Sequence, residues 1–179
     1  MTDGPRQGDV DPPLGNPAIA KDAWERTLDD MDRTAEELEN EGWDVLAVPA
    51  GSTAAEPPED GPKGRFGFVH VVPGNFADEF REFVAAGEFP RFDVYRKEVE
   101  GHVYFVTALF APEVNKAILI AGTYELRAAG PLYETAMGEN EIYTHVQKLD
   151  QTTLGSFRHD AIEKFFPDDL PFETSTDSE

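Results

Sequence analysis

Two almost unbroken apolar runs, HVYFVTALF at 102–110 and AILIAGTYEL at 117–126, constrain this chain more than any other feature. A strand with one wet face alternates apolar and polar residues, whereas a strand covered on both faces has no reason to alternate. The chain must therefore provide cover for both sides of a central sheet. Phe92–Val99 precedes the two runs and joins them through a tight turn at Glu100-Gly101, while Pro112 and Asn115 mark a bend between them. Together they predict three consecutive antiparallel strands.

One layer of cover is legible upstream. From Ile19 to Glu41, Trp24, Leu28, Met31, Ala35 and Leu38 follow steps of 4, 3, 4 and 3, opposite Asp29, Asp30, Glu36 and Glu37. That spacing predicts an amphipathic helix. Two heptads are too few for a coiled coil, so its stripe is expected to pack on the chain's own sheet, and Gly42 supplies a left-handed end. Trp43–Val48 reads as a strand. The stretch AGSTAAEPPEDGPKG at 50–64 reads as a mobile loop. Phe66–Val72 is the next strand, followed by a helix capped by Asn75 that presents Phe76, Phe80, Phe83 and Val84 and ends near Gly87.

Gly130-Pro131 opens a short helix, since proline favours the first helical position. Glu141–Leu149 reads as a strand, and Phe157, Ala161, Ile162, Phe165 and Phe166 as one side of a last helix stopped by Pro167. The expectation is an α+β fold with one mainly antiparallel sheet of five or six strands flanked by helices, in the order αββαβββαβα. By analogy that order resembles the roadblock, longin and profilin-like group and, more loosely, PAS and GAF sensor domains. No motif is shared, and fold-level analogy assigns no function. Residues 1–17 read as a Pro/Gly-rich disordered leader, 18–167 as a single domain and 168–179 as an acidic tail.

Acidic residues outnumber basic ones 36 to 15, for a net charge of −21. The imbalance lies at the ends: residues 1–64 hold 16 acids and 5 bases, 128–179 hold 11 and 3, and the middle 65–127 holds 9 and 7. Such a balance argues against a nucleic-acid partner. Thirteen phenylalanines, five tyrosines and two tryptophans argue against wholesale disorder. Concentrated salt, which shortens the screening length to about 3 Å at 1 M, would quench the self-repulsion of such a surface. The reading is a halophile's cytoplasmic protein. No apolar run approaches the roughly 18 residues of a membrane helix, so no membrane partner is expected. The segments WDVLAVPAG (43–51), FGFVHVVPGN (66–75) and EFPRFDVYR (88–96), set in this acidic, cysteine-free background, resemble conserved hypothetical proteins of halophilic archaea. That resemblance carries no catalytic roles.

Chemistry is sparsely signalled. The absence of cysteine removes disulfides, thiolate nucleophiles and cysteine-ligated metals. The four histidines show no HxH or HxxxH spacing, so neither a metal nor another cofactor is expected. Adjacent acids such as Asp29-Asp30 and Asp168-Asp169 lack the EF-hand pattern. Neither GxGxxG, GxxxxGK[ST] nor GxSxG occurs, and Ser52 and Ser156, read as a loop and a helix-start residue, make serine hydrolysis unexpected. The most suggestive cluster lies in the near-neutral middle, where Arg91, Arg96, Tyr104, Tyr124 and His70 combine the residue types of interface hot spots and anion clamps. These five are the candidate binding residues. The functional expectation is a non-enzymatic interaction module whose partner is another protein or a second copy of the chain. Two rivals accompany it: a small-molecule sensor with a pocket lined by Tyr104, Tyr124 and Arg96, and an enzyme pairing His70 or His102 with a carboxylate.

Overall fold

A computed structural model describes residues 16–61 and 64–171. Helix α1 (Pro17–Asn40) is followed by strands β1 (Asp44–Pro49), β2 (Ser52–Glu56) and β3 (Gly67–Val71), helix α2 (Ala77–Ala86), strands β4 (Arg91–Val99), β5 (His102–Ala111) and β6 (Lys116–Glu125), helix α3 (Gly130–Glu139), and strands β7 (Ile142–Gln147) and β8 (Thr153–His159). The chain is α+β, but its strands form two mixed four-stranded sheets instead of one sheet of five or six. Sheet A has the order β1-β6-β5-β4 and sheet B the order β2-β3-β7-β8. Within each sheet one pair is parallel, β1 with β6 and β3 with β7.

The apolar runs became β5 and β6 at the centre of sheet A. Val106, Ala108, Leu119 and Ala121 meet Met31, Trp24, Leu28, Ala35 and Leu38 of α1, so the predicted stripe does cover the sheet. Phe105, Leu109, Ile118 and Ile120 point the other way, into the space between the sheets. Both faces of these strands are thus dry, which is why their sequences do not alternate. The ends of the sandwich are closed by the other helices. Phe80 and Phe83 of α2 plug one end beside Leu46, Val48, Val146 and Leu154. Leu132 and Ala136 of α3 fill the other with Phe68, Tyr124, Phe165 and Phe166.

Glu100 and Gly101 both have positive φ (52° and 85°), which makes the β4–β5 turn. Gly42, at φ 101°, turns the chain out of α1 as the sequence suggests. Asn75 does not cap α2. It lies in a 3-10 turn, Gly74–Phe76, and the cap position is Phe76 with no side-chain bond.

Two further expectations are overturned. Ser52–Glu56, placed in the 50–64 loop, is a strand paired antiparallel to β3. Its composition, STAAE beside two prolines, carries little intrinsic strand preference, and tertiary pairing overrides it. The expected final helix is instead β8 followed by a 3-10 turn at Ile162–Phe165. The step from Phe157 to Phe165 and Phe166 reads as helical, but Phe157 belongs to a strand paired with β7 and only the later aromatics belong to the turn. The expected leader and acidic tail fall mostly outside the described residues.

Candidate functional site

Between helix α1 and the β4 side of sheet A lies a cleft of about 1000 Å³. Its walls are Asp22, Arg26, Asp30, Arg33 and Glu37 from α1, facing Tyr95, Arg96 and Lys97 of β4 and Tyr104 of β5. On the helix side the cations are already engaged, Arg26 with Asp22 at 2.9 Å and Arg33 with Asp30 at 2.8 Å. Such exposed i,i+3 and i,i+4 pairs contribute only a few tenths of a kcal/mol and can be exchanged for a partner at small cost. On the strand side, Tyr95 is 45% exposed. Its hydroxyl is held above the ordinary tyrosine range by burial of its ring base and then by Asp93 and Glu37. The Tyr104 hydroxyl is raised by burial and then by Glu100, so both phenols are neutral donors at working pH. β4 is the edge of sheet A, with only β5 as its ladder partner among the described residues.

Of the five residues singled out from the sequence, two border this cleft. Tyr104 forms part of the cleft floor, whereas Arg96 only borders the cleft from β4: in register with the inward-facing Phe105, it turns its guanidinium to the other face, where Nε donates to the Lys164 carbonyl at 3.0 Å. Tyr124 is in register with Val103, the neighbour of Tyr104, and so sits on the opposite face of sheet A. There it donates to the Phe165 carbonyl at 2.6 Å and packs among Phe68, Phe105 and Phe166, with burial pushing its hydroxyl far up. A single pocket lined by Tyr104, Tyr124 and Arg96 is therefore not formed. Arg91 is exposed at the start of β4 and outside the cleft. His70 is fully buried in sheet B. Arg26, Arg33 and Lys97 had not been singled out. The polar flank of α1 was legible, but not which sheet edge it overlooks.

The histidines tell a separate story. His70 Nδ1 meets Thr53 Oγ1 at 2.8 Å, while its Nε2 has no partner among the described residues. The ring is wedged against Gly122 of sheet A, where a Cβ would lie 2.8 Å from its Cε1. Burial, then the nearby His145, lowers its pKa to about 3. His159, expected on the polar side of a helix, is buried in β8, bonded through Nε2 to Thr144 Oγ1 at 2.8 Å and packed on Phe92. Burial lowers its pKa to about 4, against an opposing pull from Asp160. Neither His70 nor His102 has a carboxylate bonded to it among the described residues. No group of three or more His, Asp or Glu there could hold a metal ion.

No helix among the described residues is long and apolar enough to cross a membrane. A family profile described as "Family of unknown function (DUF7529)" matches residues 15–167, nearly all of the described chain. No curated protein and no solved structure matches.

Proposed function

The chain belongs to the DUF7529 family, and from that premise we propose that it is a cytosolic interaction module of a halophilic cell. Its partner is a protein segment, from another protein or from a second copy of the chain, laid along the cleft between α1 and the β4 edge. One observation carries this reading: Tyr95, Lys97 and Tyr104 share one face of sheet A and border a cleft beside β4, an edge strand whose outer side has no ladder partner among the described residues. Strand edges accept polypeptide by main-chain hydrogen bonding, and tyrosine with arginine supplies the anchors common at interface centres. Charged residues on both walls, beside an apolar strip of Ile19, Val99 and Val106, fit a polypeptide better than a small apolar ligand. The high-salt habitat is supported by the −21 net charge on an otherwise ordinary aromatic content.

A photo-crosslinking amino acid in place of Tyr95, activated in molar KCl on the purified chain and in cells of a halophilic host, tests the reading. A discrete adduct, with the same chain or with one partner, is the expected result, and Lys97→Glu should weaken it. A clean monomer in both settings overturns the proposal.

A further inference from the structure

Ser156 and His145 occupy opposite positions in the β7–β8 pairing. They lie on the face of sheet B turned away from sheet A, because their neighbours Val146 and Phe68 point into the core. His145 Nδ1 stands 2.8 Å from Ser156 Oγ, and its Nε2 stands 2.9 Å from the Phe66 carbonyl oxygen. A carbonyl oxygen only accepts, so Nε2 must carry a hydrogen. In the neutral ring Nδ1 is then the bare nitrogen, and Ser156 must donate to it. The tautomer is fixed by the backbone, as in any serine–base pair whose base is oriented by a third group.

Three further features support reactivity. The Tyr143 ring is stacked on the imidazole at 5.6 Å with planes 8° apart, which fixes the ring's rotation. Burial keeps the imidazole neutral, its pKa lowered first by desolvation, then raised by the Phe66 hydrogen bond, lowered by Arg65 and raised by Glu56. Ser156 itself is exposed, so its oxygen is open to a reagent. Arg158, in register with Tyr143 one rung away, pairs with Glu141. Arg65 pairs with Glu56 at 3.0 Å. Each cation is neutralised by its own carboxylate, so the pair works without a strong local field.

The geometry points to Ser156 as a nucleophile, with His145 as its general base and small activated acyl esters as its substrate class. Ser156 Oγ adds to the ester carbonyl carbon while its proton passes to His145 Nδ1. The bond to the leaving oxygen breaks, that oxygen takes the proton from Nδ1 and departs as the alcohol, and acyl-Ser156 remains. Water then adds to the acyl carbon through the same base, and the acid is released with Ser156 restored. The Nε2 hydrogen stays on the Phe66 carbonyl throughout. Ser156 is exposed while His145 beside it is buried, and the site lies away from the cleft beside α1, so only small acyl groups are expected. This activity is independent of the interaction reading.

The test is labelling of the full chain in molar KCl with a fluorophosphonate probe and, separately, acetylation by p-nitrophenyl acetate, with adducts mapped by mass spectrometry. The expected adduct is on Ser156, absent from Ser156→Ala and slowed about 10²-fold or more in His145→Gln, the usual contribution of a general base. The rate should rise with pH through a midpoint below 6.5, as deprotonation of His145 frees Nδ1. That pH profile of the unmodified chain keeps the inference testable if His145→Gln does not fold. The profile belongs to the whole neighbourhood of Arg65, Glu56, Tyr143, Glu141 and Arg158 on this face and His70 and His159 within sheet B. Labelling no faster than in Ser156→Ala, an equal rate in His145→Gln, or a pH-independent rate would each overturn the inference and leave a purely structural hydrogen bond.

Discussion

Sheet A and sheet B are the same size and share one core, yet they are built from opposite materials. The centre of sheet A is aliphatic and aromatic, sealed by α1 on one side and by sheet B on the other. Sheet B carries three buried histidines, His70, His145 and His159, each bonded to a hydroxyl of Thr53, Ser156 or Thr144. The difference teaches where sensitivity resides. Sheet B, through its buried histidines, is expected to couple the fold to protons, and it holds the serine–imidazole pair.

The largest expected effect breaks the symmetry of the shared core. Phe68 is the aromatic hub of sheet B, within 6 Å of Phe105, Tyr124, Phe165 and Phe166. Phe68→Ala should cost about 3–5 kcal/mol, measured by urea unfolding in molar KCl. Leu119→Ala in sheet A should cost about 2–5 kcal/mol, since it lies at the interface with α1. A small loss at Phe68 would mean that sheet B contributes little to the common core.

Acid should then separate the sheets. His70 and His159 titrate near 3 and 4 in the fold against 6.5 when unfolded. Above pH 6.5 neither state binds the proton, and their stabilisation is fully present. As pH falls below 6.5 the unfolded chain takes up protons that the fold refuses, so stability is lost at up to about 1.4 kcal/mol per pH unit for each group. The loss continues until pH approaches 4 for His159 and 3 for His70. High salt makes the measurement cleaner, because it screens the carboxylate repulsion that acid would otherwise relieve. Urea midpoints from pH 7 to 4 should fall in the unmodified chain and fall less steeply in His159→Gln. A flat profile would show that sheet B is no more proton-sensitive than sheet A.

How much of this was written in the sequence depended on periodicity. The α1 stripe and the doubly covered β5 and β6 were legible, because their patterns directly encode how many faces are dry. β2 and β8 were not. Ser52–Glu56 is ordered by pairing with β3, a partner that local composition cannot name. Phe157, Phe165 and Phe166 mimic a helical face by coincidence of spacing. Misplacing β8 also hid the Ser156–His145 pair, since only the antiparallel register brings these residues opposite each other. At the cleft, Tyr104 was found through residue type. Arg96 and Tyr124 were wrongly grouped with it, because adjacent rungs of a strand face opposite sides and both residues turn to the other face of sheet A.

Smaller effects sharpen the contrast further. At Gly122 of sheet A, Thr53 and His70 of sheet B come so close that a Cβ there would meet Thr53 Oγ1 at 2.5 Å. Gly122→Ala should therefore destabilise by about 1–3 kcal/mol through overpacking. The smallest expected effect lies on the outer surface of sheet A's cover. Arg26→Ala removes an exposed pair with Asp22 and should change stability by less than about 0.5 kcal/mol, read as an unchanged melting midpoint in molar KCl.

The first of the chain's three crossings between the sheets, from β1 to β2, rests on two residues. The Ala50 amide bonds the Ala121 carbonyl of sheet A at 2.9 Å, and the next amide, that of Gly51, bonds the Val71 carbonyl of sheet B at 2.7 Å. The backbone is a rivet there, driven through both plates. Tension applied to the first half of the chain is shared by the two layers at once, so neither can peel away before the other begins to yield.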